Sequence, residues 1–223
     1  MRYFSAFAIL TALLCQGAPG QDPQSKAAPV PVKGVPVIDA PPIPVRASPT
    51  EYHAHAAAGA VTVAAEFTGH SVATPLASFT TEDYVAVEVA LFGQPGTRLR
   101  LSHEDFSLSV NGKKAVPAQL YLLLSKSLKD PEYVPPEEEK KDDAGVPIAG
   151  HSADRNPTWH PIPFAVTHTM ETRVEKAALP EGDRPLPAAG LIFFPYKGRD
   201  NSISTVELIY NGPAGKASLT LNR

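Results

Sequence analysis

One cysteine, one tryptophan and two methionines among 223 residues remove several kinds of chemistry at the outset. The cysteine, Cys15, ends the apolar run of residues 3–15, which follows Met1 and Arg2 and precedes the small residues Ala18, Pro19 and Gly20. A short positive start, an apolar stretch of this length and small residues before a cut mark a signal peptide, read as residues 1–20, with Gly17 as the second cleavage position. Spanning a bilayer takes about 20 apolar residues, so no stable membrane span is expected after signal cleavage. Leu14 before Cys15 breaks the small-residue pattern of a lipidation site. Once Cys15 leaves with the signal, disulfides, thiolate nucleophiles and cysteine-ligated zinc are excluded. An exported fold then has to be held by its core alone.

An excess of one charge sign is also missing. Twenty Lys and Arg against 23 Asp and Glu give a net charge of -3 with no basic stripe, so nucleic acid is not an expected partner. GxSxG, GxxxxGK[ST], HExxH, and GxGxxG after a strand are all absent. Ser, His and Asp are plentiful, but a triad is recognised by geometry and not by counts. The neighbouring carboxylates Glu104 and Asp105, or Asp142 and Asp143, point to opposite faces of an extended chain and read as solvated turn charges. No catalytic residue and no cofactor are expected.

Proline is abundant instead: 24 residues, about twice the usual share, and helix interiors exclude it. Residues 21–55 read as a proline-rich tether, largely disordered and semi-extended, because Pro or Ala recurs through 21–50 without a helix or strand period. A PxxP ligand for an aromatic groove is the other use of such composition. Residues 131–161 form a second sparse stretch, with a mixed charge run at 137–143 and several prolines, and read as a long mobile loop. Within it, Trp159 and His160 lie between Pro157 and Pro161 and read as an anchor pinning the loop, with an exposed recognition loop as the alternative.

The folded domain is assigned to residues 56–223. In "DYVAVEVALFG", Val85, Val87, Val89 and Leu91 form one uniformly apolar face, as a buried strand requires. Alternation also predicts strands around residues 60–67, 98–101, 106–110, 203–210 and 216–221, with Val206, Leu208 and Tyr210 on one face and Leu219 and Leu221 on another. Asn111-Gly112 supplies a tight hairpin turn, which places a partner strand from about Lys114 to Gln119. "LYLLLSKSLKDP", from Leu120, fits a short buried helix or an irregular strand. Helical spacing occurs once, at 164–178: Phe164 or Val166, Met170, Val174, Ala177 and Ala178 share a face, with Thr167 or Thr169 as the cap. In "LPAAGLIFFPYKG", apolar residues point both ways, Leu191 and Phe193 to one side, Ile192 and Phe194 to the other. One side faces a core, and the 164–178 helix is the expected cover of the other, through Met170 and Val174. The fold class is therefore mainly β: an antiparallel, immunoglobulin-like two-sheet sandwich with one short helix and a long mobile insert.

Asp105-Phe106, Leu108, Val110, Gly112 and Lys113, followed later by Pro187, Gly190, Phe193 and Phe194, form a pattern over residues 81–223. It resembles the secreted bacterial immunoglobulin-like (telokin-like) domains of unknown function. The resemblance implies a sandwich fold and carries no activity. Function is therefore read as that of an exported, non-enzymatic binding or accessory module of the cell envelope, periplasmic or extracellular, with an envelope or extracellular protein as partner. The alternative is a metal-binding or hydrolytic periplasmic protein. His53 and His55 would place two imidazoles on one side of a strand as copper or zinc ligands, with a third left open among His70, His103, His151, His160 and His168. Without HExxH or cysteine context, surface histidines are the simpler reading.

Overall fold

The computed structural model describes residues 40–133 and 162–221. The expected signal peptide, residues 21–39 of the tether, and residues 134–161 with His151, Trp159 and His160 lie outside the described residues. Thirteen strands and one α-helix are present among the described residues: β1 Ala54–Ala58, β2 Val61–Gly69, β3 Ser71–Ala73, β4 Ser78–Thr81, β5 Tyr84–Phe92, β6 Arg98–Leu101, β7 Phe106–Val110, β8 Val116–Pro117, β9 Leu128–Lys129, α1 Phe164–Ala177, β10 Gly182–Pro185, β11 Ala188–Pro195, β12 Val206–Gly212 and β13 Gly215–Leu221. All named strand pairs are antiparallel.

Two four-stranded sheets, β1-β2-β5-β11 and β13-β12-β7-β8, face each other across the main core, which makes the chain a β-sandwich. The alternation that predicts strands also assigns the inner faces. Val63, Val85, Val87, Val89, Leu91, Ile192 and Phe194 from the first sheet meet Phe106, Leu108, Val206, Leu208, Tyr210 and Leu219 from the second. The rings of Phe106 and Tyr210 lie 5.0 Å apart in a tilted contact. Opposite parity on β12 and β13 puts Glu207, Asn211, Lys216, Ser218 and Thr220 on the exposed face.

The first sheet is apolar on its outer face as well, and two further layers cover it. Over one half, Leu191, Phe193 and Ala86 pack against Met170, Val174 and Ala177 of α1, with Leu124, Leu128, Phe79 and Val72 completing a second core. The small sheet β3-β4-β9 forms one wall of that core. Phe193 and Phe194, each at most 1% exposed, point into different cores. Their burial contributes about 3–6 kcal/mol before entropy costs.

Over the other half lies the part of the expected tether that is described. Ala64, Ala90 and Ala189 are register neighbours across β2, β5 and β11 and form a shallow trough of methyl groups. Tyr52 packs on them, with Val45 and Phe92 alongside. Ala40 and Tyr52 are buried, so the described part of the 21–55 stretch is docked on the domain. Proline masks the signal there, because the attaching residues Val45, Arg46 and Tyr52 are interspersed with Pro41, Pro42, Pro44 and Pro49 and show no strand or helix period.

Local details depart from the sequence reading in four places. Pro163, whose fixed φ suits a helix start, takes the N-cap position before Phe164, and no side chain caps the helix. Thr169 instead donates its hydroxyl to the Ala165 carbonyl inside the helix. Phe164 faces solvent at 83% exposure, which leaves the buried stripe to Met170, Val174 and Ala177. The strand expected from Lys114 to Gln119 is shorter: it pairs with β7 at Val116–Pro117, the Ala118 amide donates to the Phe106 carbonyl, and Gln119 already bridges to Phe193. Residues 120–129 are both alternatives in succession, a 3-10 turn at Tyr121–Leu124 and then β9. The Asn111-Gly112 turn forms as expected, with φ of 55° and 67°. Asn111 also fastens the segment before β12. Its side-chain oxygen accepts from the backbone amides of Ser204 and Thr205, and its amide donates to the Ser202 carbonyl.

Candidate functional site

His53 and His55 do not converge on a third ligand. His53 immediately precedes β1, and His55 lies within it opposite Ala64; both imidazoles are exposed. The closest acid, Glu66, has its carboxylate 3.9 Å from His53 Nε2. Among the described residues no group of three or more His, Cys, Asp or Glu side chains is placed to hold a metal ion. His168 stacks on the exposed ring of Phe164, 5.9 Å between centroids. His70 is set into the loop after β2, where Nε2 donates to the Gly198 carbonyl at 2.6 Å and its backbone amide donates to Asp200. Those bonds tie two distant loops together.

Beside His53 is an ionic cluster that the sequence does not announce. Glu66 and Glu88 are direct cross-strand partners on β2 and β5, a placement in which like charges repel. Arg46, from the docked segment, reaches both: one guanidinium nitrogen is 2.6 Å from Glu66 and the other 3.2 Å from Glu88. The same group donates to the Glu51 carbonyl and lies 4.4 Å over the Tyr52 ring. Burial pushes the Glu88 carboxyl above the usual carboxylate range; Arg46 opposes the shift and Glu66 adds to it. The cluster is a fastening, with every donor of consequence already engaged.

A concavity lies elsewhere, along the edge of β11. Two segments cross that edge. The Gln119 amide donates to the Phe193 carbonyl at 2.8 Å, and the Leu179 amide donates to the Leu191 carbonyl at 2.9 Å. Gly190 permits the second crossing, since a Cβ there would lie 2.5 Å from the Leu179 nitrogen and 2.7 Å from the Ala178 carbonyl carbon. Between and above the crossings opens a cleft of about 510 Å³. Its base is Leu191, Ile192 and Phe193; Leu120, Leu179, Pro180 and Pro42 form apolar walls.

Charged and hydrogen-bonding groups ring this cleft: His103, Tyr121, Glu175, Lys176, Glu181 and Arg184. The His103 ring is hydrogen-bonded to Glu181, and burial, then the charge of the neighbouring Glu175, pushes the Tyr121 phenol up. Arg184 donates through Nε to the Glu181 carbonyl. Neither Lys176 nor Arg184 forms an ion pair among the described residues. Beyond the rim, Leu122 and Leu123 continue from Leu120 as a ridge of three leucines, 41–63% exposed. The lining contains no Ser, Thr or Cys.

Sequence reading identifies the base of this cleft, in "GLIFF", but assigns it wholly to core. The wall and rim residues come from four separate segments, around 42, 103, 119–121 and 175–184. One local signal was available: "EKAALPEGDR" places two charges before and three after an apolar, proline-ended step shortly before the core strand. No family model, curated protein or solved structure matches this chain.

Proposed function

We propose that this chain is an exported, non-enzymatic binding or accessory module of the cell envelope, an immunoglobulin-like sandwich of the telokin-like kind that engages an envelope or extracellular protein. The observation that carries the reading is the β11 cleft: apolar walls, a charged rim and an adjoining leucine ridge. A few convergent polar groups around an apolar concavity are what a binding site needs. Contiguous exposed leucines beside it are typical of a surface that another protein covers.

The test is recovery of the native partner from envelope fractions after mild crosslinking, comparing the wild-type chain with Leu120→Asp and Leu123→Asp. Both residues are exposed, so their replacement leaves the core untouched. A defined partner captured by the wild type and lost in either variant is the expected result. Recovery of no partner, or equal recovery by all three, refutes the assignment.

A further inference from the structure

We infer that the β11 cleft recognises the free C-terminal end of a partner polypeptide, seating an apolar last side chain between its walls and the terminal carboxylate against Lys176 and Arg184. The inference deepens the binding reading above and rests on it.

The edge of β11 does not admit a strand running through. Gln119 and Leu179 bond to carbonyls only two residues apart on β11, a spacing of about 7 Å at the usual rise per residue. Two main-chain crossings therefore occupy the ladder positions that an added strand would use, and Gly190 brings the second of them into direct backbone contact. What remains is a pit between and above the crossings. A chain end fits such a pit with one side chain and its terminal group, whereas a continuing chain has to leave through a wall.

Two cations on the rim can receive an anion. The Lys176 ammonium and the Arg184 guanidinium form no ion pair among the described residues, while the Glu181 carboxylate is held by the His103 ring. A charge-assisted hydrogen bond from either cation is stronger than one between neutral groups. Arg184 is also oriented, because its Nε is fixed on the Glu181 carbonyl and the outer edge of the guanidinium is left for a carboxylate. Leu120, Leu179, Pro180 and Pro42 offer aliphatic surface, which matches an aliphatic or aromatic last residue better than a polar one. The cleft volume, about 510 Å³, accommodates a few residues at most.

The experiment uses the full chain and two random heptapeptide display libraries, one with free C-termini and one with the same peptides placed internally. Enriched peptides are then measured by fluorescence anisotropy as the free acid and as the C-terminal amide. Enrichment from the free-end library with an apolar last residue, at least tenfold weaker binding of the amide, and a similar loss in Lys176→Gln with Arg184→Gln are expected. Both substituted residues are exposed, and unchanged thermal unfolding of that variant confirms that its fold is intact. Equal binding of acid and amide, or enrichment only of internal peptides, overturns the chain-end inference and leaves the broader binding reading standing. Enrichment from neither library also overturns it, and partner recovery from the envelope then decides the broader reading separately.

Discussion

Arg46 is the residue whose removal the packing predicts most sharply. Arg46→Met keeps the aliphatic stem and deletes the one cation between Glu66 and Glu88. Side-chain exposures of 29%, 24% and 16% for Arg46, Glu66 and Glu88 place the cluster between a surface and a buried network. Breaking a fully buried pair costs about 3–5 kcal/mol, whereas a surface pair is worth about 0–1 kcal/mol. The stacking of the guanidinium on Tyr52 adds about 0.5–1 kcal/mol. A loss of about 2–3 kcal/mol near neutral pH is therefore expected from urea unfolding, interpolating between those limits. The loss has a pH signature. Burial and Glu66 raise the Glu88 carboxyl, and without Arg46 nothing opposes them. A folded-state value above the unfolded one means that the folded variant binds a proton which the unfolded chain releases. Its stability then falls as pH rises through the raised value, and the penalty shrinks on acidification. Combining Arg46→Met with Glu88→Gln should recover about 1–2 kcal/mol as a coupling energy. A penalty below about 0.5 kcal/mol, or one equal near neutrality and at about pH 4.5, would refute the view that the docked segment is held by relief of carboxylate repulsion.

Three further outcomes are expected. Phe193→Ala, which empties the space between β11 and α1, should destabilise by about 3–5 kcal/mol in denaturant titration, and a change under about 1 kcal/mol would return this residue to the surface. Gly190→Ala should cost about 2 kcal/mol or more, since the crossing backbone at Ala178 and Leu179 has to move; amide exchange at Leu179 should accelerate together with the loss, and unaltered protection there would sink the argument. Untagged protein should contain no stoichiometric copper or zinc by mass spectrometry, and metal lost on replacing both His53 and His55 with Ala would revive the metal-binding alternative.

Much of the secondary structure is legible in the sequence because its signals are local. The alternation of Val85, Val87, Val89 and Leu91 identifies both a strand and its inward face, and the spacing of Met170, Val174 and Ala177 does the same for the helix. Apolar residues of both parities in "LIFF" even require a second covering layer, which α1 supplies. β1 escapes this reading, because "AHAAA" has weak strand preference and is held by its pairing with β2. β3 escapes because three residues carry no period.

The sequence by itself determined which stretches are extended or helical and which faces are buried, since those follow from side-chain periodicity along one segment. Only the tertiary structure decided that Arg46 answers two carboxylates on neighbouring strands, that Tyr52 seats on three aligned alanines, and that Gln119 and Leu179 close the β11 edge around a cleft. Each of those depends on strand register and on the crossing of segments far apart in the chain. A composition or spacing rule reads neighbours along the backbone, and these groups are neighbours only through space.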